Sequence, residues 1–443
     1  MRPPPRGALG RDVVAPLVRR GTDSKISCSC AKDRIKCLKH DVKEVDGSMK
    51  HIVVLGGAGT MGSEVIRQLI RRSDAKITVA DANSKALSRL AAELGDRIDT
   101  SVVDANDFSG LVQLMKGADV AVSTVGPFYK YGSKVVKASI AAGVNFVDID
   151  DDFDATQESL SLDEEAKKAG TTAIIGMGAS PGITNIIAKY GADKLERVNE
   201  IRLFWAESAI DPTGPSALSH WFHIISGDIP VFSNGDWVNV KGFSEPEIVE
   251  FLPPVGRLEV YYTGHPEPVT LPRYIKGVKN VSIKGALFPP GIMGLYKTLI
   301  DTGFGSPETF IVGEGVSMPF RELSSRIIRA MPRFAPEFFG EIFKEAIEKY
   351  QSCAGTFKIE VSGEKGGEEM KYVYDLLADS VSRGTATPAA MAALMLLEGK
   401  VKQKGVLAPE GALDANLFFA ETTKEAQLRE TGIRARTIGK TAN

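Results

Sequence analysis

Short apolar runs alternate with longer stretches of helical spacing between residues 51 and 175. The first run, Ile52–Leu55, is apolar throughout, which is typical of a parallel strand buried on both faces. Further runs follow at 77–80, 100–103, 120–123, 144–147 and 172–175. The helical stretches lie at 60–72, 84–94, 107–116, 131–142 and 155–169. This alternation predicts an α/β fold that begins with a doubly wound, parallel Rossmann sheet.

Polar or small residues stand where these predicted strands end. Gly57, Asp81, Asp104, Ser123 and Asp148 occupy such positions. Right-handed crossovers bring the carboxyl ends of parallel strands to one edge of the sheet. We therefore expect one ligand at that edge to be able to touch all five.

The pattern changes after residue 178. Strand-like runs at 258–263 and 279–284 are broken by Pro and Gly, and 216–226 has helical spacing. Residues 307–351 are predicted to be helical, and 356–361 with 371–376 to form a hairpin that turns at Gly366-Gly367. An apolar helix is predicted at 388–398, with Pro388 in its first turn.

Domain boundaries follow from these changes of pattern. Residues 1–48 lack a periodic apolar face and are interpreted as a disordered extension, because Met49 stands directly before the first strand. Residues 49–178 are predicted to form the Rossmann domain. Residues 179–385 are predicted to form a mixed α/β substrate-binding domain that contains the helical segment 307–351.

Composition and charge exclude several classes of protein. The chain has 443 residues, is 43% hydrophobic and 25% charged, and has a formal net charge of -2. It is therefore expected to be globular, without an electrostatic footprint for nucleic acid or an anionic membrane. It contains no uninterrupted apolar run of 18 residues. Four cysteines, three of them before residue 40, are too few for a disulfide framework and predict a cytoplasmic location. Their spacing matches no common zinc pattern, so no metal site is predicted.

The strongest motif is Gly57-Ala58-Gly59-Thr60-Met61-Gly62. It follows a predicted strand, opens a predicted helix and is followed by Asp81 at the end of the next strand. We expect Gly57 to permit the tight turn and Gly59 to permit the close approach of a pyrophosphate. Gly62 is expected to permit close packing between the helix and the strand. The motif predicts dinucleotide binding, with a sheet that has lost its nucleotide as the alternative.

Asp81 is the candidate for cofactor selection. Its carboxylate can accept hydrogen bonds from the ribose of NAD and would repel the 2′-phosphate of NADP. No Arg follows it, which favours NAD, although Asn83 could help to hold a phosphate and NADP stays open. The predicted cofactor contacts are Gly57, Gly59, Thr60, Met61, Gly62, Asp81, Ala82, Asn83, Asp104, Ala105, Thr124, Val125, Gly126 and Pro127.

Carboxylates cluster at the end of the fifth strand, beside the expected nicotinamide. They are Asp148, Asp150, Asp151, Asp152 and Asp154. Crowded carboxylates raise one another's pKa, which suits acid–base catalysis or binding of an amine; capping of a helix is the alternative.

Asp148, Asp151 and His265 are the candidate catalytic residues. His220 and Trp221 are candidate substrate contacts, and Arg273 is a candidate ligand for a substrate carboxylate. For each histidine a structural role, and for Arg273 a surface ion pair, is the alternative.

Several further segments resemble one family. These are Gly126-Pro127-Phe128, 142–148, Ser180-Pro181-Gly182-Ile183-Thr184-Asn185, His265-Pro266-Glu267, 384–388 and 405–407. With the glycine motif, they are similar over about residues 50–415 to the saccharopine dehydrogenase (reductase-type) family, including its lysine 6-dehydrogenase-like and carboxynorspermidine dehydrogenase-like members.

This resemblance implies hydride transfer at a carbon–nitrogen bond of an amino acid or polyamine-like substrate, with NAD or NADP. It also implies that the second domain supplies substrate contacts and a homodimer interface. A C-terminal segment, residues 386–420, would return to the Rossmann domain. The alternatives are an oxidoreductase of another carbonyl or opine-like substrate, and an NAD(P)-binding regulatory or scaffolding protein without turnover.

Overall fold

The computed structural model describes residues 49–211, 214–313, 315–350, 353–423 and 434–439. The extension predicted at residues 1–48 lies outside the described residues. No helix in the described part of the chain is long and apolar enough to cross a membrane.

The described residues form strands and helices that we number in chain order. The strands are β1 (His51–Leu55), β2 (Lys76–Asp81), β3 (Asp99–Val102), β4 (Val120–Ser123), β5 (Asn145–Asp148), β6 (Thr172–Ile174), β7 (Arg197–Ser208), β8 (Asp228–Ser233), β9 (Asp236–Lys241), β10 (Glu247–Glu250), β11 (Arg257–Tyr262), β12 (Asn280–Phe288), β13 (Thr309–Gly313), β14 (Val316–Pro319), β15 (Gly355–Lys365), β16 (Glu368–Ala378), β17 (Gly405–Leu407) and β18 (Arg434–Gly439). The helices are α1 (Thr60–Arg72), α2 (Ser84–Leu94), α3 (Phe108–Met115), α4 (Phe128–Ala142), α5 (Phe153–Ser161), α6 (Asp163–Ala169), α7 (Ile183–Ala192), α8 (Pro215–Ile224), α9 (Glu267–Tyr274), α10 (Gly291–Asp301), α11 (Phe320–Ala330), α12 (Pro336–Tyr350), α13 (Val381–Leu397), α14 (Pro409–Ala412) and α15 (Ala415–Thr423).

The first sheet is parallel and has the strand order β17-β6-β5-β4-β1-β2-β3. The interior strand β1 is buried along Ile52–Leu55 because helices cover both faces of the sheet. The order reverses between β1 and β4, and such a reversal opens a crevice at the carboxyl ends of the strands. The predicted Rossmann fold is confirmed.

Helix α1 illustrates how local sequence and packing agree. Gly62, Val65, Ile66 and Leu69 recur at helical spacing and form its buried face. Arg71 and Arg72 stand in its last turn, where positive charge interacts favourably with the helix dipole. The axis of α1 thus starts at the glycine motif and leads away from the crevice.

The C-terminal part of the chain adds to this sheet. Strand β17 pairs in parallel with β6, with Val406 opposite Ala173. Helix α13 packs on α1 and is buried around most of its surface, including Ala389, Ala393 and Leu396.

The start of α13 differs from the sequence prediction. The helix begins at Val381 rather than near Pro388, because the Ser380 side chain accepts a hydrogen bond from the backbone N–H of Arg383 and caps it. Pro388 therefore lies inside the helix. The predicted helix 155–169 is also divided, into α5 and α6, at Leu162.

A second, mixed sheet follows, with the order β10-β11-β12-β7-β15-β16-β18 and with β8 joining β12 to β9. Strands β7 and β12 are parallel, and β15 pairs with β7 in the antiparallel direction. The predicted hairpin is confirmed as β15 and β16, with Gly366 and Gly367 at positive φ between them. The predicted mixed α/β architecture of the second domain is confirmed.

The helical prediction for 307–351 is wrong in its first part. Residues 309–319 form the hairpin β13–β14, because β-branched and aromatic residues precede Gly315, whose φ of +71° provides the turn. The rest of the segment forms α11 and α12, which cover one side of the second sheet.

Candidate active site

The glycine loop joins β1 to α1. Gly56, at φ +71°, provides the tight turn that the sequence analysis assigned to Gly57. Gly57 instead packs against β2, since a Cβ there would lie 2.5 Å from a methyl carbon of Val79. A Cβ on Gly62 would lie 2.4 Å from the carbonyl oxygen of Gly56, so Gly62 is required where helix and strand meet.

The N-terminus of α1 fits the pyrophosphate of a dinucleotide. Gly59 is the N-cap, contributes no side-chain cap, and is followed by a first turn without acidic residues. The free backbone N–H groups of this turn and the helix dipole both favour an anion. A Cβ on Gly59 would contact only the carbonyl oxygen of Gly56, so a pyrophosphate can approach Gly59 from outside the loop.

Asp81 ends β2 beside the glycine loop. Its carboxylate accepts hydrogen bonds from the backbone N–H groups of Ala58 (3.1 Å) and Asn83 (2.9 Å). Asn83 caps α2 by accepting a hydrogen bond from the N–H of Ala86. The carboxylate is therefore fixed where the ribose of a dinucleotide lies in this fold.

The other predicted cofactor residues occupy the ends of β3 and β4. The side chain of Asp104 accepts hydrogen bonds from Asn106, so Asp104 and Ala105 form a local turn. Thr124 donates its hydroxyl to the carbonyl oxygens of Leu55 and Gly56 and so holds β4 against the glycine loop.

A cavity of about 470 Å³ begins at this loop and extends into the second domain. On the Rossmann side it is lined by Gly59–Gly62, Thr124 and Gly126–Phe128. On the other side its polar lining includes Asp151, Glu207, His220 and His265. One cavity thus joins the predicted cofactor loop to the predicted acid–base residues.

His220 is held between two carboxylates. Its Nδ1 lies 2.8 Å from Oδ1 of Asp152 and 3.3 Å from Oδ1 of Asp151. Burial by itself lowers the pKa of His220, but Asp151 and Asp152 outweigh it and raise the pKa to about 9. His220 is therefore a cation at neutral pH that donates a hydrogen bond to Asp152 and connects α8 to the segment after β5.

The aspartates of this segment have different roles. Asp152 is fully buried and also accepts a hydrogen bond from the N–H of Tyr129. Burial raises its pKa, but His220, His223 and that N–H hold the pKa below the ordinary value. Asp150 is likewise buried and accepts hydrogen bonds from the N–H of Asp152 and the hydroxyl of Thr156.

Asp148 lies outside the cavity lining. It is 1% exposed and accepts hydrogen bonds from the N–H groups of Asp150 and Gly176. Burial raises its pKa to about 7. We therefore withdraw it as a catalytic candidate and interpret it as a residue that holds two loops at the strand end.

Asp151 is the aspartate that faces the cavity. Its side chain is 34% exposed to the cavity, and burial raises its pKa although His220 opposes that shift. Asp151, Asp152 and His220 are close enough to share a metal ion. Because His220 is protonated and Asp152 already accepts two hydrogen bonds, we interpret the group as an ion-pair network.

His265 lines the cavity with both ring nitrogens lacking a hydrogen-bond partner among the described residues, although the side chain is buried. Its ring lies 5.6 Å from that of His220 and 5.4 Å from that of Trp205. Behind it, one oxygen of the buried Glu267 lies 3.6 Å from Nδ1. The other oxygen accepts hydrogen bonds from Ser180 and Thr184.

Two lining residues escaped the sequence analysis. Glu207 follows the apolar run of β7, and burial raises its pKa to about 7, with His220 opposing and Asp151 adding to that shift. Arg329 lines the cavity from α11 and has no ion-pair partner in the described part of the chain. Neither residue belongs to a recognisable local motif, so only their tertiary positions reveal them.

Of the predicted substrate contacts, some line the cavity and one does not. Trp221 lines the cavity and packs edge-on against Trp205 and Tyr296. Arg273 does not line it; its guanidinium lies on the exposed face of α9, donating to the carbonyl oxygen of Val269 and lying near the ring of Trp237. Because α9 turns this position outward, the structure does not bring Arg273 together with the residues that line the cavity.

A Rossmann domain, a second mixed domain and one cavity joining a glycine loop to acid–base groups define the class of dinucleotide-dependent oxidoreductases. Comparison with known proteins makes the assignment narrower. Residues 52–174 match the family model described as the saccharopine dehydrogenase NADP binding domain. The predicted resemblance is confirmed for the Rossmann domain, which matches the NADP-binding domain of saccharopine dehydrogenases.

Relatives of known name extend over most of the chain. The carboxynorspermidine synthase of Vibrio alginolyticus is 23% identical over 409 residues, which covers 82% of this chain and 92% of that protein. The carboxyaminopropylagmatine dehydrogenase of Synechocystis is 23% identical and covers 83% and 94%. The structure of the saccharopine dehydrogenase (L-Glu forming) of Saccharomyces cerevisiae has the same fold, with a TM-score of 0.62, 16% identity and coverage of 88% and 100%.

Proposed function

We propose that this oxidoreductase transfers hydride between NAD(P) and a carbon that bears nitrogen, in an amino acid or polyamine-like substrate. The observation that carries the proposal is the single cavity that joins the glycine loop to Asp151, Glu207 and His265. Carboxylates that face a cavity attract an ammonium group and can accept its proton. The names of the relatives, which act on amines, support the same chemistry.

Each residue has a distinct task in this proposal. The dinucleotide at the glycine loop would supply or accept the hydride, and the residues of the chain would bind the substrate and move protons. Asp151 and His265 would exchange a proton with the substrate nitrogen, because both face the cavity. Protonated His220 would orient Asp151, and Trp221 would form an apolar wall beside them.

A substrate carboxylate would bind Arg329 rather than Arg273. Arg329 is the arginine among the described residues that lines the cavity, and it has no carboxylate partner there. A guanidinium can bind a carboxylate through two parallel hydrogen bonds, which fixes its orientation as well as its position. Arg329 therefore suits a substrate that carries both an amine and a carboxylate.

NAD is our proposed choice over NADP. The carboxylate of Asp81 is fixed by Ala58 and Asn83, and it would repel a 2′-phosphate. In the described part of the chain no arginine follows it before Arg89. The name of the matching family model gives NADP, so a direct comparison of the two cofactors tests this choice.

The predicted homodimer also stays a proposal. Phe310 and Ile311 on the β13–β14 hairpin are 51% and 75% exposed, and exposed apolar surface of this kind is common at subunit interfaces. Light scattering after gel filtration should give twice the chain mass, and Ile311→Asp should lower it. The cytoplasmic location rests on cysteine content alone and stays a prediction.

One experiment separates an enzyme from a regulatory protein that binds the cofactor without turnover. The full chain is titrated with NADH and NADPH by nicotinamide fluorescence, and then assayed with lysine, saccharopine and diamines. We expect cofactor binding and oxidation of an amine. Cofactor binding without oxidation of any amine would favour the regulatory alternative or a carbonyl or opine-like substrate.

Two substitutions test the acid–base assignment. Asp151→Asn and His265→Gln should each lower turnover by about 100-fold or more and leave NADH affinity within a few-fold. Asp154→Asn is the matched control, since Asp154 belongs to the same acidic segment but lies outside the cavity lining. Activity that survives both substitutions would contradict the assignment.

A further inference from the structure

The cavity has two parts with different walls. Beside the glycine loop the lining side chains include Asp151, Glu207, His220 and His265, which we call the polar pocket. Between α10, α11, α12 and the ends of β12 and β15 the walls are mainly apolar, with Arg329 of α11 as a charged lining residue next to Ile328. We call this part the apolar arm; it is lined by Leu287, Tyr296, Ile328, Ile342, Phe343 and Phe357.

The apolar arm is unsuited to a chain of charged amines. An ammonium or amine that loses water without gaining a hydrogen bond costs several kcal/mol, and apart from the Tyr296 hydroxyl the walls of the arm accept no hydrogen bonds. A hydrocarbon placed against the same walls is stabilised by about 25 cal/mol for each Å² removed from water. The walls of the arm therefore favour an alkyl or aryl group.

The arm also leads to the surface of the protein. Ile328, Ile342 and Phe357 are buried, whereas Phe343 on α12 is 40% exposed. A substituent that starts at the polar pocket can extend along the arm towards Phe343.

We propose that the substrate is an amine with a hydrocarbon or aromatic substituent, whose nitrogen lies near Asp151 and Glu207 and whose substituent fills the apolar arm. The arrangement of charge agrees, since the carboxylates stand at one end, and Arg329 beside the apolar walls would repel a second ammonium group but not a hydrocarbon. This inference rests on the proposed function and makes its substrate class more specific. It differs from the polyamine-derived substrates in the names of the relatives.

Binding of simple amines tests the apolar arm directly. The full chain with NADH is titrated with butylamine, hexylamine and octylamine, and with spermidine as a charged chain of similar length. Trp205 and Trp221, two of the three tryptophans, line the cavity and report binding by fluorescence. Each CH₂ group that enters the arm should lower the Kd about fourfold, which corresponds to about 0.8 kcal/mol. Octylamine should therefore bind about 250-fold more tightly than butylamine, and more tightly than spermidine.

Two phenylalanines of α12 provide a matched pair of variants. Phe343 and Phe338 have similar exposure, 40% and 43%, but only Phe343 lines the cavity. Phe343→Asp should weaken octylamine binding about tenfold, because the alkyl chain would meet a carboxylate. Phe338→Asp should leave it unchanged, and NADH affinity should be the same in both variants.

The outcomes separate this inference from the proposed function. The proposal that a hydrocarbon fills the apolar arm would be contradicted by equal affinity for all three alkylamines. Tighter binding of spermidine, or equal effects of the two variants, would contradict it as well. Octylamine that binds as expected but is never oxidised would support the arm and contradict hydride transfer. Oxidation of spermidine with weak binding of octylamine would support hydride transfer and overturn the arm.

Discussion

His220 couples the charge of one side chain to the stability of the fold. It lies on α8 of the second domain and donates to Asp152, which follows β5 of the Rossmann domain. Its side chain is only 14% exposed, so solvent screens the interaction weakly. Replacing it by Gln removes the charge and keeps a side chain that can donate a hydrogen bond.

The magnitude follows from the pKa of His220. Its folded-state pKa is about 9, compared with the ordinary value of 6.5. One pKa unit corresponds to about 1.4 kcal/mol, so the charged side chain contributes about 3 kcal/mol to the free energy of unfolding. Because the folded-state pKa is raised, this contribution is complete below pH 6.5. It decreases as the pH rises towards 9 and disappears above that value.

Urea unfolding of the full chain at pH 6, 7.5 and 9.5 measures this contribution. We expect wild type to exceed His220→Gln by about 3 kcal/mol at pH 6, with a gap that closes almost completely by pH 9.5. His51→Gln is a control of opposite sign, since burial and Lys76 lower the pKa of His51. A gap between wild type and His220→Gln that stays constant from pH 6 to 9.5 would refute the ion-pair assignment.

Three further predictions concern the cofactor and the substrate. Gly62→Ala should abolish NADH binding in a fluorescence titration, because the new Cβ would collide with the carbonyl oxygen of Gly56. Gly294→Ala is the control and should leave NADH binding unchanged, because a Cβ there would meet no neighbouring atom. Asp81→Ala should narrow the ratio of NAD to NADP affinity, and an unchanged ratio would remove Asp81 as the selector. Glu207, with a pKa of about 7, is neutral below that pH and charged above it, so octylamine affinity should rise through pH 7. Glu207→Gln should flatten that rise, and a rise that persists in the variant would assign it to another group.

The Rossmann half was predictable because its signals are local. A run such as Ile52–Leu55 and the spacing from Gly57 to Gly62 depend on residues that are neighbours in sequence. Asp81 ends the next strand of the chain, which pairs with β1, so the alternation of strands and helices also predicts its position at the edge of the sheet. For the same reason the cofactor could be inferred before the structure was known.

The errors of prediction come from packing between distant segments. Pro388 suggested a helix start, but a helix buried on most sides extends back to the cap at Ser380. Gly315 and its preceding β-branched residues formed a hairpin where helical spacing was expected. In both places the local sequence is compatible with two local structures, and tertiary contacts select one.

The substrate side of the site was decided by the tertiary structure. Glu207 and Arg329 come from a strand and a helix more than 100 residues apart, and no local motif marks either of them. Arg273 was a candidate ligand by residue type alone, but α9 turns it outward. The sequence by itself determined the cofactor loop, because one turn and one helix build it. The substrate cavity forms only when α8, α10, α11, α12 and the second sheet meet the Rossmann edge, so only the folded chain defines its charges and its apolar walls.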